Sequence, residues 1–393
     1  MKQYDVAVIG GGPSGATAAH ELAERGLSVL LLDRNGRIKP CGGAVPPILL
    51  REFNVPESQL EARVSSARMV APSEKEVDMD IGGFVGMVNR GQFDPWLRER
   101  AANAGADYIE GHFDGLERET GGGLTVSYRP GSKSAAVEKA RVATVIGADG
   151  AASRVRKQAL GHQETMKHVF AYHEIVRSPD GKTPWFDPER CDVYYQGKVS
   201  PDFYGWVFPH GECTSVGAGS AVKGFSLRNA VKIMRDKARL DDNAIVRTEG
   251  APLPLKPLKR WDNGRDVVLV GDAAGAVAPS SGEGIYYAMS SGRSAANAVT
   301  AFLESGNPKR LADVRKDFMK SHRTVFFVLG VLQYWWYSSD KRREKFVEIC
   351  RDPDVQKLTW DAYMNKQLVR AKPAAHVRIF FKDIAHLVGL NPR

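Results

Sequence analysis

The sequence of 393 residues predicts an α/β fold in which a discontinuous Rossmann-like parallel-sheet domain receives an inserted antiparallel sheet and is followed by a helical C-terminal region. Three observations carry this expectation. The chain opens on an apolar run, a glycine-rich turn and a helix-length segment. Two further β-branched runs, far downstream, also end in Gly and Asp. Between and after them lie a strand-rich stretch and then a tail of helical character.

In order, Val6 to Ile9 is a continuous apolar run of the kind that forms a buried parallel strand. Gly10, Gly12 and Gly15 then spell G-x-G-x-x-G. The first permits a tight turn, the second lets backbone approach a pyrophosphate, and the third lets the next helix pack close to the strand. Ala16 to Arg25 reads as that helix, its N-terminal N–H groups and dipole facing the anion, and Gly26 stops it. Leu27 to Leu32 forms the second strand. Asp33 closes it where a carboxylate accepts from an adenosine ribose. A carboxylate there repels a 2′-phosphate, so the site suits FAD or NAD and not NADP.

Asn35 to Pro47 is too rich in Gly and Pro for regular structure, and it sets Cys41 between Pro40 and Gly42-Gly43. Cys41 is either a small buried filler or a group held close to a ligand. Ser65 to Ile81 contains short strands of a second sheet. Asn89 to Ala104 reads as a helix with Phe93, Leu97 and Ala101 on one face; its Arg98 and Arg100 either reach a phosphate or are simply solvated. Ala106 to Ile109 and Leu124 to Tyr128 are strands, with a hairpin expected through Arg129 to Ser134.

Arg141 to Ile146 runs into Gly147-Ala148-Asp149-Gly150, and Val267 to Val270 into Gly271-Asp272-Ala273-Ala274-Gly275. Such junctions put a carboxylate at the C-terminal edge of an open sheet, where ligands bind. Pro279 to Gly284, with Gly282 and Gly284, leads into a helix from about Ile285 to Glu304, whose N-terminus can stabilise negative charge. There is no second G-x-G-x-x-G, hence no separate nicotinamide domain is expected. Phe170 to Ala221 reads as an antiparallel sheet. Within Pro201 to Pro209, alternation sends Tyr204, Trp206 and Phe208 to one face, suited either to a core or to the lining of a large apolar pocket.

Four cysteines (Cys41, Cys191, Cys213, Cys350) show no metal-ligand spacing, so no metal site or disulfide framework is expected. The first twelve residues hold a strand and not a leader, which points to a reducing compartment. Of the net charge of +9, the last 93 residues carry +8. Val325 to Tyr337 is a thirteen-residue apolar run, far short of the roughly 20 residues of a membrane span. With Arg323 before it, Lys341-Arg342-Arg343 after it and a second apolar patch at Ile379 to Phe381, it is either packed inward or in contact with an anionic membrane surface.

Taken together these residues resemble the FAD-dependent geranylgeranyl reductase family, within the p-hydroxybenzoate hydroxylase-like flavoproteins. The shared layer is Gly10 to Gly15 with Asp33, the Asp149-Gly150 pair and the Gly271-Asp272 segment. The narrower signals are K-P-C-G-G at Lys39 to Gly43 and P-x-x-Y-x-W-x-F-P at Pro201 to Pro209. The resemblance is nearest to the photosynthetic branch, and it implies an enzyme reducing the geranylgeranyl chain of chlorophyll, bacteriochlorophyll or the free diphosphate to phytyl; the expected lack of a transit peptide favours a bacterial one. It implies an FAD domain of residues 1–64, 85–165 and 255–310, a substrate sheet of 65–84 and 166–254, and a helical region of 311–393. It implies FAD contacts from Gly10, Gly12, Pro13, Ser14, Gly15, Asp33, Arg34, Arg98, Asp149, Gly271, Asp272, Gly282 and Gly284. Cys41 is placed beside the flavin, Tyr204, Trp206 and Phe208 on the prenyl chain, and NADPH as electron donor. Cys41 and Tyr204 are the candidate proton donors. Two alternatives stand beside it: a flavin monooxygenase or halogenase on the same scaffold, and a prenyl-pigment carrier. No nucleic acid is expected as a partner, and the location expected is cytoplasmic, peripheral on the membrane.

Overall fold

The computed structural model describes residues 1–34, 38–39, 41–120, 122–161 and 166–366. The chain opens with β1 (Lys2–Ile9), α1 (Pro13–Glu24) and β2 (Val29–Asp33). It continues through β3 (Ala44–Val45), α2 (Pro47–Glu52), β4 (Ala62–Val70) and β5 (Glu76–Met87). Next come α3 (Arg90–Asn103), β6 (Asp107–Arg118), β7 (Leu124–Pro130), β8 (Glu138–Gly147) and α4 (Arg154–Leu160). A strand-rich stretch holds β9 (His168–Arg177), β10 (Arg190–Tyr194), β11 (Gly205–His210), β12 (Cys213–Ser220), α5 (Leu227–Lys237) and β13 (Ile245–Pro254). The described chain ends with β14 (Val267–Leu269), α6 (Ile285–Ser305), α7 (Asp313–Trp336), α8 (Asp340–Ile349) and α9 (Pro353–Asn365).

Two compact units result, each assembled from three stretches: Met1–Ile38, Arg90–His168 and Pro252–Phe326 in the first; Lys39–Asn89, Val169–Ala251 and the chain from Phe327 in the second. The first is built on a six-stranded sheet. Its β1 lies parallel between β2 and β8, β2 is parallel to β6, and β8 to β14. Their apolar runs are buried on both faces, with Val6 to Val8, Leu30 and Leu31 fully enclosed. β7 pairs antiparallel with the outer part of β6 and the start of β8, so the hairpin expected through Arg129 to Ser134 joins β7 to β8 and forms half of a three-stranded meander. α1 packs closely on α6 because Gly292 has no side chain: a Cβ there would lie 2.2 Å from the Ser14 carbonyl oxygen. Phe93, Leu97 and Ala101 form the fully buried stripe of α3 that their spacing predicts.

The second unit is built on an eight-stranded sheet in the order β13-β9-β12-β11-β10-β4-β5-β3. Its side chains divide by the two-residue period of a strand. Val176, Val207, Val216 and Ala218 pack against Ala230, Val231 and Met234 of α5. The alternate residues Trp206, Phe208, His210, Ser215 and His173 occupy the opposite face.

Three boundaries differ from the sequence expectation. Residues 39–64 and 85–89 belong to the second unit and not to the nucleotide domain, because β3 pairs with β5 and β5 with β4. The helical region is no third body. The first half of α7 lies in the first unit, where Phe318 and Phe326 set their edges on the Tyr287 ring, and residues 327–366 belong to the second. Ile379 to Phe381 lies outside the described residues. Among the described residues no helix is long and apolar enough to cross a membrane.

Candidate active site

In the first unit the site is a glycine cradle. Gly10 adopts φ +108, and a Cβ on it would meet the Ala148 carbonyl oxygen at 2.3 Å. At Gly15 a Cβ would lie 1.8 Å from the Gly10 oxygen. By contrast, a Cβ on Gly12 would point into open space, bounded by Arg90 Nη2 at 4.0 Å. Gly12 is the N-cap of α1 and offers no side chain to its free N–H groups, while Pro13 supplies the preset first turn. An uncapped helix start with an open backbone face fits the pyrophosphate of a dinucleotide.

Asp33 closes β2 beside this cradle, and Arg98 ties the two together, donating to Gly11 O and Asp33 Oδ2 at 3.3 Å each. Burial pushes the Asp33 carboxyl above its ordinary value; the Gly11 N–H and the Arg98 guanidinium oppose that shift. Arg100, two residues further along α3, instead lies over the Trp96 ring. On the far side of β8, Gly271 backs onto Ser14: a Cβ there would sit 2.5 Å from Ser14 Oγ. Asp272 is buried at the end of β14, and Gly284 begins α6 with no side-chain cap. The structure thus gathers Gly10 to Gly15, Asp33, Arg98, Gly271 and Asp272, from three separate stretches, around one helix start.

Asp149 differs. Its carboxylate accepts from Ser153 Oγ at 2.5 Å, Arg154 N at 2.6 Å and Val155 N at 3.1 Å. These bonds anchor the start of α4 and fix the loop that follows β8. Burial raises its pKa, and these three donors oppose the shift.

In the second unit the Cys41–Gly43 segment lies on β11. A Cβ on Gly42 would touch the Phe208 ring at 3.1 Å, and one on Gly43 would lie 2.3 Å from His210 Nε2. The Gly43 N–H donates to Cys41 Sγ at 3.4 Å. His210 Nδ1 is 2.9 Å from the Phe208 carbonyl oxygen, and burial pulls the imidazole pKa down to about 4, so the ring is neutral at physiological pH. Tyr204, Trp206 and Phe208 follow one another as a row of rings with centroids 6.0 and 6.4 Å apart. The row extends from Tyr204 to Tyr195, and from Tyr195 to Tyr337 and Phe346. This is the one-faced arrangement that the alternation predicts.

Arg90, whose guanidinium borders Gly12, and His210, beneath the Cys41 segment, were not legible as site residues. Arg90 sat in what looked like an ordinary helix start. His210 follows Phe208 by two, so the alternation already placed it on the same face. Arg343 was misjudged. Counted with Lys341 and Arg342 as a surface cluster, it is buried, bonding Asp340 at 2.7 Å and the Pro201 and Tyr337 carbonyl oxygens.

The fold and the cradle define a dinucleotide-binding protein, and residues 5–44 match the FAD dependent oxidoreductase family. Along its length the chain is 51% identical over 391 residues to the geranylgeranyl diphosphate reductase of Rhodobacter capsulatus, covering 99% of each chain. It is 39% identical over 410 residues to the chloroplastic geranylgeranyl diphosphate reductase of Oryza sativa, covering 98% of this chain and 87% of that one. Among solved structures it superposes on a geranylgeranyl bacteriochlorophyll reductase-like protein of Thermoplasma acidophilum with a TM-score of 0.81, at 24% identity and full coverage of both chains. The chain belongs to the geranylgeranyl reductase family.

Proposed function

We propose that this enzyme reduces the isolated double bonds of a geranylgeranyl chain to phytyl, on bacteriochlorophyll, chlorophyll or the free diphosphate, with NADPH as electron donor. The 51% identity over the whole length to a relative of that name carries the proposal. Each turnover adds two hydrogens across one C=C bond, a hydride equivalent from NADPH and a proton, and leaves NADP⁺. A prenyl double bond has no carbonyl to polarise it, so positive charge builds on one carbon as the other is protonated. Bound FAD, once reduced, supplies hydride chemistry. The chain's own residues bind and orient. Gly10, Gly12, Pro13, Ser14 and Gly15 take the pyrophosphate with Arg90 nearby; Asp33, Arg34 and Arg98 serve the ribose side; Gly271, Asp272, Gly282 and Gly284 serve the flavin side. Tyr204, Trp206 and Phe208 hold the prenyl chain and exclude water that would trap the charge. Cys41 and Tyr204 are the groups able to hold a proton there.

Incubation with NADPH and each prenyl substrate, read by product mass, tests this; gains of two hydrogens per bond are expected. Oxygen uptake matched to NADPH use, without prenyl reduction, would make the protein a monooxygenase. Prenyl binding without NADPH oxidation would make it a carrier. Cys41→Ser is expected to retain FAD while slowing turnover by roughly 10²-fold, or to stop at partly reduced chains. Wild-type rates with an unchanged product series would leave Cys41 as packing.

The same substrate explains an apolar stripe on α7. Phe327, Val331, Tyr334 and Trp335 recur at helical spacing and are 40–77% exposed. The Arg342 guanidinium lies 4.6 Å from the Trp335 ring centroid, and Lys341 is exposed beside it. The stripe and its basic flank suit reversible docking on an anionic leaflet, each basic residue adding about 1 kcal/mol. Flotation with anionic liposomes should fall for Lys341→Glu with Arg342→Glu and fall further for Phe327→Ser with Tyr334→Ser; Arg343 is left alone because it is structural. Equal flotation of all three proteins would make the stripe a solvated face.

A further inference from the structure

The face that carries Trp206 also carries a continuous buried polar chain. Trp206 Nε1 lies 3.0 Å from Ser215 Oγ, and Ser215 Oγ 2.9 Å from His173 Nδ1. His173 Nε2 lies 2.6 Å from Glu249 Oε2. Arg247 Nε pairs with Glu249 Oε1 at 2.8 Å, and Arg247 Nη2 reaches Asn89 Oδ1 at 3.4 Å. Ser215 and His173 are 0% and 1% exposed. Trp206 stands opposite Gly217, and Gly217 opposite His173, across three adjacent strands.

Two groups at the ends of the chain constrain its direction. An indole N–H only donates, so Ser215 Oγ accepts from Trp206. The Glu249 carboxylate only accepts, so His173 Nε2 carries a proton and donates to it. In the neutral ring Nδ1 is then an acceptor, and the Ser215 hydroxyl donates to it. Burial opposes charge on Glu249, but His173 and Arg247 outweigh it and hold the carboxyl below its ordinary value. The order Glu–His–Ser resembles a hydrolase triad, yet Ser215 is enclosed and already accepts from an indole, so it is no nucleophile.

Buried polar chains stabilise a fold no better than well-packed apolar groups do, but they specify one arrangement. Here the arrangement specified is the rotation of a single ring. A Cβ on Gly217 would lie 2.1 Å from Trp206 Cζ2 and 2.7 Å from His173 Cβ, so the indole lies directly on that strand. Packing against Gly217 and the Tyr204, Phe208 and His173 rings confines the indole, and the directional N–H bond fixes which edge faces Ser215.

We propose that Ser215 and His173 are positioning residues that lock the rotamer of the Trp206 indole, with Glu249 and Arg247 holding His173 in the tautomer this requires. The catalytic consequence rests on the prenyl-wall reading above: the rotamer sets which double bond of the chain sits at the reacting position, and so sets the product series.

The test uses the FAD-loaded enzyme with ¹⁵N-labelled indoles, the Trp206 signal being assigned by its loss in Trp206→Phe. In Ser215→Ala the Trp206 signal should shift and exchange faster with solvent, and in His173→Leu it should shift as the Ser215 hydroxyl reorients. In His173→Gln, whose amide can accept from Ser215 and donate to Glu249, it should stay near its wild-type position. Ser215→Ala and His173→Leu should lower kcat roughly tenfold and change the ratio of partly to fully reduced chains at unchanged FAD content. An unmoved Trp206 signal in FAD-retaining Ser215→Ala overturns the lock; that variant removes one oxygen and decides the matter even if His173→Leu does not fold. A shifted signal with an untouched product series in both Ser215→Ala and Trp206→Phe would keep the lock and sink the prenyl-wall reading instead.

Discussion

Replacing Gly15 with alanine is expected to give a protein that purifies without yellow colour. The added methyl would lie 1.8 Å from the Gly10 oxygen and 2.9 Å from Ala148 Cβ, and the first of these is backbone that cannot swing aside. The helix start has to back away from the turn, taking with it the N–H groups proposed to take the pyrophosphate. Overpacking of this kind costs about 1–3 kcal/mol. Placed on the cofactor site, about 3 kcal/mol is roughly a hundredfold loss of FAD affinity. The measurement is FAD content after gel filtration and reconstitution of the apoprotein, with circular dichroism to confirm that the fold persists. Gly12→Ala separates the two roles of the motif. Its methyl points into open space, so stability should hold while FAD binding weakens. One tightly held FAD per chain in Gly15→Ala would remove the cradle from the account.

Gly43→Ala should cost more turnover than any change within the prenyl wall, while sparing FAD. Gly43 has φ +74, and its Cβ would stand 2.3 Å from His210 Nε2 and 2.6 Å from the Val88 carbonyl oxygen. The segment must lift off β11, taking Cys41 with it and breaking the Gly43 N–H···Sγ contact. With Cys41 in its proposed role, a displacement of about 1 Å there is enough for roughly a hundredfold loss. His210→Ser in the same chain should restore part of it by making room, a coupling that a double-mutant cycle reads directly. Full activity in Gly43→Ala would mean that this segment stands apart from the chemistry.

How far the sequence could be read depended on whether a feature answers to its own neighbours. The Gly10, Gly12, Gly15 motif and the Gly271-Asp272 junction were legible because a turn, a close approach and a helix start dictate those residues locally. Residues 39–64 were assigned to the wrong unit because β3 is two residues long and its partner β5 lies some forty residues further on. At Asp149 the reading stopped at the strand end, although Ser153, four residues on, is a helix N-cap whose hydroxyl donates to that carboxylate. The bond from Arg343 to Asp340 follows from i, i+3 spacing, but its bond to the Pro201 carbonyl oxygen does not. The chain from Trp206 to Glu249 exists only once the order β13-β9-β12-β11 is known.

The division of the parallel sheet among distant stretches governs how the protein comes into being. β1 and α1 are made first, yet α1 packs against α6, which begins at Ile285. At about 5–20 residues per second, a ribosome needs on the order of tens of seconds to travel that distance. For that interval the nascent chain shows an apolar helix flank and an incomplete sheet, the surfaces through which growing chains aggregate. A ribosome stalled before α6 therefore holds a sticky fragment and not a half-built enzyme. Slowing translation just before Ile285 is therefore expected to lower the soluble yield without changing the stability of the finished fold.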